Sequence, residues 1–395
     1  MPERRLCVLN AGSSSLKFAV YEVAAGSLRR TQSGEVENIG GQGRLLIKTA
    51  DGRPLHDRMV STQDHAAALE MLTKLPNGPL EPAGLLGFGH RVVHGGPDLD
   101  APALVDAATL ARIEALEPLV PLHNPPAVAV LKGLAKLFPG LPHVACFDTA
   151  FHRSHPAVAD RFAIPDSLYR EGVRRYGFHG LSYEYIAGAL AQRAPEIARG
   201  RVVVGHLGSG ASMCALADGR SVDSSMGFTA LDGLPMGTRP GSLDTGVILW
   251  LQQQKKWSVD RIEHFLYAEC GLKGLSGVSN DMRELLTSEE PLAKLAVEYF
   301  VYHVARTTAA LATSMGGIDG MVFTAGIGER SPEIRARVLH RLRWLGFWVD
   351  EKANGAGGPL LTRTDAPLAA YVIPTDEELV IAHHTLSLVS HEKGG

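Results

Sequence analysis

The sequence predicts an α/β protein made of two similar domains, and three observations lead to this expectation. Strand-like and helix-like segments alternate along the chain, as is typical of the α/β class. One pattern occurs near the N-terminus and again about half a chain later: a strand, a turn rich in glycine and serine, and a second strand. The length of 395 residues is sufficient for two separate cores. We therefore expect an internal duplication, with two domains facing each other across a cleft.

The first hairpin, residues 6–23, has the composition of an anion-binding turn. Its first apolar run ends at Asn10, a glycine and three serines follow, and Lys17 stands near the start of the second run. Hairpin turns usually carry Asn-Gly or Asp-Gly for backbone reasons. Converging N–H groups, hydroxyls and an ammonium instead suit phosphate oxygens. A plain polar turn is the alternative for this segment taken alone.

The second hairpin, residues 202–219, repeats the pattern and favours phosphate binding for both. An apolar run ends in the glycine-rich turn 206–210, and a further strand-like run, 211–217, leads away from it. Two such turns half a chain apart suggest that one nucleotide is held from both sides.

Composition indicates an ordinary globular protein without a generally basic surface. Hydrophobic residues make up 45% and charged residues 21% of the chain, and the formal charge is -3, so neither nucleic acid nor a membrane is an expected partner. We expect the short N-terminal apolar run to be neither a signal sequence nor a membrane span. Four distant cysteines without a CxxC motif favour buried free thiols and a cytoplasmic location. They are Cys7, Cys146, Cys214 and Cys270.

Helices in the first half should begin after Asp64, Asp106 and Asn124, because Asp and Asn side chains accept hydrogen bonds from the first helical turn. Proline at the first helical position supports the third of these starts. After the hairpin we expect a strand at 45–48, helices at 65–75, 107–116 and 125–138, and strands at 87–93 and 143–147.

In the second half, helices and strands alternate in a similar way. We expect helices at 165–170, 181–192, 245–254, 259–268, 291–314 and 332–342, with strands at 221–223, 321–324 and 369–373. Glycine-rich loops should cover 227–241 and 325–329. The domains are expected at 1–150 and 151–378, with a terminal helix at about 379–395 that packs back on the first domain.

Several familiar nucleotide and hydrolase motifs are absent. The chain contains no Gly-Lys dipeptide, and therefore no P-loop, and no GxGxxG, HExxH or GxSxG. A nucleotide must then be bound by the two hairpins.

Four polar residues stand at strand ends or in loops, where α/β proteins place their chemistry. Arg91 is flanked by valines, which suits a small acid with a short alkyl tail, although a structural salt bridge is the alternative. Asp148 ends a buried strand, where a carboxylate is costly unless it is used or paired. His179 precedes a helix, where its side chain either points at an anion or caps the helix. Arg239 lies in a glycine-rich loop, where a solvated arginine is the bland alternative.

Eight segments, in this order over nearly the whole chain, resemble the acetokinase family of the acetate and sugar kinase, Hsc70 and actin superfamily. They are NAGSSSLK, HRVVHGG, FDTAFH, YGFHG, HLGSGAS, MGTRPGSLDTG, FTAGIGE and PTDEEL. The resemblance implies a duplicated ribonuclease-H-like (actin-like ATPase) fold, a homodimer, and reversible in-line transfer of the γ-phosphoryl group of ATP to acetate, giving acetyl phosphate and ADP. It also implies a requirement for Mg²⁺ or Mn²⁺.

The resemblance further implies roles for individual residues. The first domain would bind the acyl substrate and phosphate, and the second the nucleotide. Asn10 and Glu377 would bind the metal. Arg91 would bind the acyl carboxylate, with Val93, Leu122 and Phe178 around the methyl group. Asp148, His179 and Arg239 would be catalytic. The ATP contacts would be Ser13, Ser15, Lys17, His206, Leu207, Gly208, Ser209, Gly210, Asp281, Met282, Arg283, Gly326, Ile327, Gly328, Glu329 and Arg330.

Elementary chemistry constrains those roles. A carboxylic acid with a pKa of about 4 to 5 is already ionised at neutral pH and needs no general base. We therefore expect Asp148 to orient the groups that hold the phosphoryl group or the metal. Three positions depart from the commoner family pattern: Ala230 replaces a proline and leaves room for propionate, Ser209 replaces an asparagine, and Arg330 replaces an asparagine after GIGE.

Three alternatives remain open from the sequence. The first is a propionate or butyrate kinase on the same scaffold. The second is an ATP-driven binding module related to actin or Hsc70, which gives no reason for arginine beside valines. The third is a sugar kinase, although sugar sites favour Asp, Asn and Glu over arginine.

Overall fold

The computed structural model of the protein describes residues 3–121 and 123–392. Leu122, which the resemblance places beside the acyl group, lies outside the described residues. The chain divides into two compact units. The first contains the residues up to Phe151 together with those from Asp376 onward, and the second contains His152–Thr375.

Strands and helices follow one another in mixed order in both units. In the first unit they are β1 (Arg5–Ala11), β2 (Leu16–Ala24), β3 (Ser27–Val36), β4 (Gly41–Thr49), β5 (Pro54–Thr62), α1 (His65–Thr73), β6 (Leu85–Val92), β7 (Ala103–Leu104), α2 (Ala107–Glu114), α3 (Asn124–Leu137) and β8 (His143–Phe147). Short 3₁₀ turns lie at Glu117–Leu119 and Ala150–His152.

The second unit is richer in helices. Its elements are α4 (Ala157–Asp160), α5 (Asp166–Arg170), α6 (Gly180–Arg193), β9 (Arg201–Leu207), β10 (Ala211–Ala217), β11 (Arg220–Ser224), α7 (Thr245–Gln254), α8 (Val259–His264), α9 (Gly271–Ser276), α10 (Met282–Thr287), α11 (Pro291–Ser314), β12 (Gly320–Thr324), α12 (Ala325–Arg330), α13 (Pro332–Arg341), α14 (Glu351–Gly355) and β13 (Ala369–Val372). A π-helical turn lies at Phe265–Glu269 and a 3₁₀ turn at Arg343–Leu345. The last helix, α15 (Glu377–Glu392), belongs to the first unit.

The two sheets contain the same five-strand arrangement, which is the evidence for duplication. In the first unit the order is β5-β4-β3-β2-β1-β6-β8-β7, and in the second it is β11-β10-β9-β12-β13. In each, an antiparallel hairpin provides the central strand, and two parallel strands continue the sheet from it. The series β3-β2-β1-β6-β8 therefore corresponds to β11-β10-β9-β12-β13. This confirms the predicted duplicated ribonuclease-H-like α/β fold.

The central strands are buried on both faces, as parallel strands covered by helices require. In β1, residues Leu6 to Leu9 are all buried, and α15 packs against β1, β6 and β8. Gly89 of β6 allows this close approach, because a Cβ atom there would lie 2.6 Å from Ile381 and would also collide with Thr385. Helix α15 is consequently held close against the central strands of the first sheet.

The prediction missed two long strands and assigned one helix cap wrongly. Strands β3 and β5 have no counterpart in the prediction, because their side chains are mostly polar and only Val36 and Thr62 are buried. Asp64 and Asp106 cap their helices as predicted, but Asn124 does not cap α3. Its side chain instead accepts a hydrogen bond from the His94 N–H and donates one to the His94 carbonyl, both at 3.2 Å.

The four cysteines are free thiols, and Cys270 is only half-buried whereas the other three are buried. Burial raises the pKa of Cys7 and of Cys214 to about 12, so both are unreactive thiols at neutral pH. No helix within the described ranges combines the length and the apolar content needed to cross a bilayer.

Candidate active site

The turn between β1 and β2 presents hydroxyls at the surface on a fixed backbone. Ser13 is exposed and Ser15 half-buried. The Gly12 N–H donates to the Ser15 carbonyl at 2.8 Å, and His65 Nε2 lies 2.9 Å from the Gly12 carbonyl oxygen. The half-exposed Lys17 has its Nζ 4.0 Å from Glu35, so its charge is only weakly paired. The turn has the donors that phosphate oxygens need.

Arg91 and Asp148 form a bidentate ion pair at the carboxyl ends of neighbouring parallel strands. Arg91 lies near the end of β6 and Asp148 directly follows β8. Arg91 Nε donates to Asp148 Oδ1 at 3.0 Å, and Nη2 donates to Oδ2 at 2.6 Å. The Asp148 side chain is 1% exposed and that of Arg91 19%. The salt bridge that the sequence left as an alternative is therefore present, and it fixes the plane of the guanidinium.

Two further polar groups reach Arg91. Asn10 Oδ1, at the end of β1, lies 3.5 Å from Nη1, and Glu377 Oε2, at the start of α15, lies 3.8 Å from Nε. Burial acts to lower the pKa of Arg91, but Asp148 and Glu377 outweigh it and the net shift of this pKa is upward. Val93, directly after β6, is half-buried. A fixed cation beside a partly accessible apolar side chain suits a short carboxylic acid.

Asn10 and Glu377 provide the kind of ligand that Mg²⁺ prefers. An amide oxygen and a carboxylate converge on the same guanidinium, and burial raises the pKa of Glu377 to about 7, against the opposing effect of Arg91. A cation bound there would relieve the cost of a buried carboxylate. Within the described residues no cluster of three or more His, Cys, Asp or Glu side chains can hold a metal.

In the second unit, the turn between β9 and β10 brings a histidine and an arginine together. A Cβ atom on Gly210 would lie 2.7 Å from Arg239 Nη2 and 3.4 Å from His179 Nε2. The Gly237 N–H donates to the Ser209 carbonyl at 2.9 Å, which attaches the Arg239 loop to the turn. A side chain at position 210 would therefore displace the end of the Arg239 side chain. Three of the predicted segments thus form one cluster.

His179 is held in a defined orientation. It precedes α6 with φ 55° and ψ 26°, in the left-handed region that non-glycine residues rarely adopt. Its Nδ1 lies 2.8 Å from Ser212 Oγ, which lies 2.5 Å from the Tyr183 hydroxyl. The His206 ring stacks on the His179 ring with centroids 4.2 Å apart. When Ser212 donates to Nδ1, Nε2 carries the proton and is a hydrogen-bond donor directed toward Arg239 and Gly210.

Arg239 differs from Arg91 in lacking a carboxylate partner. Its Nη1 donates to the Ala230 carbonyl at 2.7 Å, and among the residues that the structure describes it forms no ion pair. Burial lowers the pKa of Arg239, partly offset by Tyr267. A cation removed from water without a counterion favours an anionic ligand.

The segment after β12 is a short helix, α12, where the sequence predicted a loop. Glu329 Oε1 accepts hydrogen bonds from the Ala325 N–H at 2.9 Å and the Thr375 N–H at 3.2 Å, which closes the segment on itself. The Arg335 side chain, fully buried in α13, donates to the carbonyls of Gly328 at 2.9 Å and Glu329 at 2.8 Å. This arginine was not predicted, because an arginine in an amphipathic helix ordinarily faces solvent.

The remaining predicted nucleotide contacts lie at the start of α10. Asp281 caps this helix and pairs with Arg283, whose Nη2 donates to Asp281 Oδ2 at 2.5 Å. Hydrogen bonds from Arg283 lower the pKa of Asp281 to about 2. Met282 is buried and Arg283 is exposed. Phe178, predicted beside the acyl group, is 1% exposed.

The fold and these two clusters define a class of protein, namely a phosphoryl-transferring enzyme with the actin-like ATPase fold. The hairpin turns of the two sheets carry glycine and serine, and each unit places an arginine beside its turn or its parallel strand ends. The model of the acetokinase family matches residues 5–383. The chain belongs to the acetokinase family.

Individual relatives agree with this assignment over nearly the full length. The acetate kinase of Nitrobacter hamburgensis is 55% identical over 388 residues, covering 97% of this chain and 96% of that protein. The acetate kinase of Rhizobium meliloti is 49% identical over 390 residues, covering 98% of both.

Solved structures of two relatives share the fold. A propionate kinase from Francisella tularensis has a TM-score of 0.88 at 36% identity, covering 96% of this chain and 98% of that one. The acetate kinase of Porphyromonas gingivalis has a TM-score of 0.87 at 31% identity, covering 98% of this chain and 100% of that one.

Proposed function

We propose that this protein reversibly transfers the γ-phosphoryl group of ATP to acetate, giving acetyl phosphate and ADP. Family membership supports the reaction class. The observation that carries the assignment to a carboxylic acid is the Arg91 guanidinium, fixed by Asp148 and adjacent to the half-buried Val93. A sugar hydroxyl has no use for such a cation, whereas a short carboxylate needs both its charge and its apolar neighbour.

In this proposal Arg91 binds the acetate carboxylate and Asp148 keeps the guanidinium in register. Nε and one Nη2 hydrogen are used by Asp148, which leaves the donors near Asn10 for the substrate. Acetate is a nucleophile at neutral pH without losing a proton, so Asp148 acts as a positioning residue and not as a base. Val93, Phe178 and Leu122 are proposed to surround the methyl group.

Arg239 and His179 are proposed to stabilise the phosphoryl group during transfer. The barrier arises from bringing an anionic acid against an anionic phosphoryl group, and catalysis of phosphoryl transfer depends chiefly on positioning and charge stabilisation. Arg239 has no carboxylate partner among the described residues, and His179 Nε2, which is a donor when Ser212 donates to Nδ1, lies against the same position at Gly210. Both groups can donate hydrogen bonds to equatorial phosphoryl oxygens, where charge accumulates in an in-line displacement.

The nucleotide and its metal are assigned to the remaining segments. We propose that ATP contacts residues 206–210, 281–283 and 326–330 and that Ser13, Ser15 and Lys17 contact its phosphates. Asn10 and Glu377 are proposed to bind Mg²⁺, with Mn²⁺ as a substitute of the same ligand preference. When bound, the metal neutralises phosphate charge and orients the phosphate chain.

Assembly and location complete the proposal. The outer face of α11 carries exposed apolar side chains at helical spacing, at Leu292, Leu295, Tyr299 and Tyr302. A second copy of the chain would bury such a face, which supports a homodimer. The free thiols support a reducing compartment such as the cytoplasm.

Propionate is the second candidate substrate, and Ala230 favours it. This residue is almost fully buried and its carbonyl accepts the hydrogen bond from Arg239. The family commonly has the bulkier proline here, so alanine leaves space for one more methylene. The propionate kinase of Francisella tularensis shares the fold.

Hydroxamate formation tests the proposed reaction. The purified chain is incubated with Mg-ATP, hydroxylamine and acetate, propionate or butyrate, and we expect acyl hydroxamate with the highest kcat/KM for acetate. A C3 or C4 preference would replace acetate by the longer acid. Hydrolysis of ATP that is indifferent to every acid would instead support an actin-like binding module, and phosphorylation of a sugar would support a sugar kinase.

A further inference from the structure

His152 is a fully buried histidine in the second unit for which the proposed reaction has no use. It is 0% exposed, and its Nε2 lies 2.9 Å from the Phe178 carbonyl oxygen. Its ring also lies against Gly177, where a Cβ atom would be 2.7 Å from the ring carbons Cγ and Cδ2. The imidazole therefore packs directly beneath the backbone that leads into His179.

The hydrogen bonds around His152 have one consistent direction. A carbonyl oxygen can only accept, so Nε2 of His152 donates to Phe178. In the neutral ring Nδ1 must accept, and Ser221 Oγ, at 2.8 Å, donates its single proton to it. The Ser221 oxygen then accepts from His155 Nε2, also at 2.8 Å. Burial lowers the pKa of His155 to about 2, which keeps this second ring neutral.

These hydrogen bonds end at the Phe178 carbonyl, directly before the strained backbone of His179. His179 has φ 55°, a conformation that is unfavourable for a non-glycine residue and persists only where the surroundings impose it. The Phe178 carbonyl belongs to the peptide that joins Phe178 to His179. A donor fixed on that carbonyl limits rotation of the peptide plane and therefore sets the direction in which the His179 side chain leaves the backbone.

His152 also contacts the group that orients the His179 ring. The Tyr183 ring packs edge-on against the His152 ring, with centroids 5.6 Å apart and an interplanar angle of 72°. The Tyr183 hydroxyl lies 2.5 Å from Ser212 Oγ, and Ser212 contacts His179 Nδ1. One imidazole thus supports both the backbone before His179 and the tyrosine that holds its hydrogen-bond partner.

We propose that His152 is a positioning residue that holds the 178–179 peptide and so directs His179 Nε2 toward Arg239 and the turn at Gly210. It acts through its hydrogen bond to Phe178 and not on the substrate. The expected effect on rate rests on the proposed phosphoryl transfer, whereas the expected effect on backbone conformation does not.

Two substitutions at His152 separate hydrogen bonding from packing. His152→Leu fills similar volume but cannot donate to Phe178, whereas the side-chain amide of His152→Gln can place a donor near the former Nε2. We expect His152→Leu to lower kcat about 10- to 100-fold, since a small misplacement of a catalytic group has effects of this size. The KM values for ATP and acetate should stay within about threefold, because neither substrate-binding segment changes. His152→Gln should recover most of kcat.

A matched control and a second variant keep this test decisive. His143→Leu removes another buried histidine, which pairs with His90 at 3.0 Å in the first unit, and should leave kcat unchanged. Ser221→Ala removes the donor to His152 Nδ1 and should lower kcat below that of His143→Leu, which provides a result even if the leucine variant does not fold. Equal kcat in His152→Leu and His143→Leu, or no recovery in His152→Gln, overturns the proposal.

A crystal structure tests the conformational part without reference to activity. In His152→Leu, or in Ser221→Ala if the former is unstable, we expect the 178–179 peptide to rotate and the contact between His179 Nδ1 and Ser212 to lengthen. Retention of the positive φ at His179 together with that contact overturns the proposal. A wild-type protein inactive toward every acid would refute the proposed function, while this structural comparison would still decide the role of His152.

Discussion

Replacing Asp148 by asparagine removes the charge that holds Arg91. The carboxylate accepts two hydrogen bonds from this guanidinium, at 3.0 and 2.6 Å, and is 1% exposed. Asparagine retains one oxygen for Nε but turns an amide N–H toward Nη2, so that two donors face each other. Arg91 then loses its fixed plane, and the substrate carboxylate loses a preorganised partner.

The structure sets the size of both expected effects. A hydrogen bond to a charged group contributes about 1.5–3 kcal/mol, which corresponds to a loss of about 10- to 150-fold in kcat/KM for acetate. Breaking a buried ion pair from one side costs about 3–5 kcal/mol. Glu377 remains 3.8 Å from Arg91, so the lower end applies, and about 3 kcal/mol lowers Tm by about 6–12 °C in a unit of this size.

The hydroxamate assay at varied acetate and a thermal unfolding curve measure the two effects. Asp57→Asn is the matched control, because Asp57 receives the same bidentate pair from Arg44, at 2.7 Å for both bonds, with both side chains more than 40% exposed. An exposed pair contributes about 0–1 kcal/mol. If Asp148→Asn loses no more activity and no more Tm than Asp57→Asn, the positioning role of Asp148 is refuted.

Three further predictions follow from the two clusters. Arg239→Ala should lower kcat by about 10³-fold or more, because its charge-assisted hydrogen bonds form to the transition state, and near-normal kcat in the hydroxamate assay would contradict the assignment. Ala230→Pro should reduce kcat/KM for propionate relative to acetate by about 10-fold or more, the usual effect of one methylene in a filled pocket; an unchanged ratio places Ala230 outside the acyl site. Burial raises the pKa of Glu377 to about 7 from 4.5, so the metal-free protein should lose stability as the pH rises from about 4.5 to 7. Because the metal binds the ionised carboxylate, Mg²⁺ should bind more tightly at pH 8 than at pH 6. Calorimetric titrations in two buffers should show about one proton released at pH 6 and almost none at pH 8, and equal release at both values would argue against Glu377 as a ligand.

The repeated hairpin was the feature that the sequence predicted best. In both copies an apolar run ends at a polar, glycine-containing segment that can be read directly from the sequence. The two sheets also have the same five-strand order. Strands β3 and β5 could not be predicted in the same way. Their side chains are mostly polar or exposed, so the alternation of apolar residues that marks a strand is missing, and their hydrogen bonds to neighbouring strands are the main reason that they form.

The candidate site shows a similar division. Arg91, Asp148, His179 and Arg239 were predicted as site residues because each charged or titratable residue stands beside glycines or apolar strand ends. Their partners were not, because hydrogen bonds such as that of His179 to Ser212 join residues 33 positions apart and leave no local pattern. The choice between a salt bridge and a carboxylate site at Arg91 also needed the structure, which shows a bidentate pair with Asp148; the proposed carboxylate site includes this pair.

The origin of α15 at the end of the chain has a consequence for biosynthesis. Residues 152–375 form the second unit as one uninterrupted stretch, whereas the first unit takes its last helix from residues translated after all of these. During translation, all strands of the second unit are made before α15, the helix that covers the β6 surface around Gly89. Glu377 opens that helix, so the nascent chain gains this carboxylate only after the second unit has been translated, and a product truncated before residue 376 would contain an intact second unit and an incomplete first one.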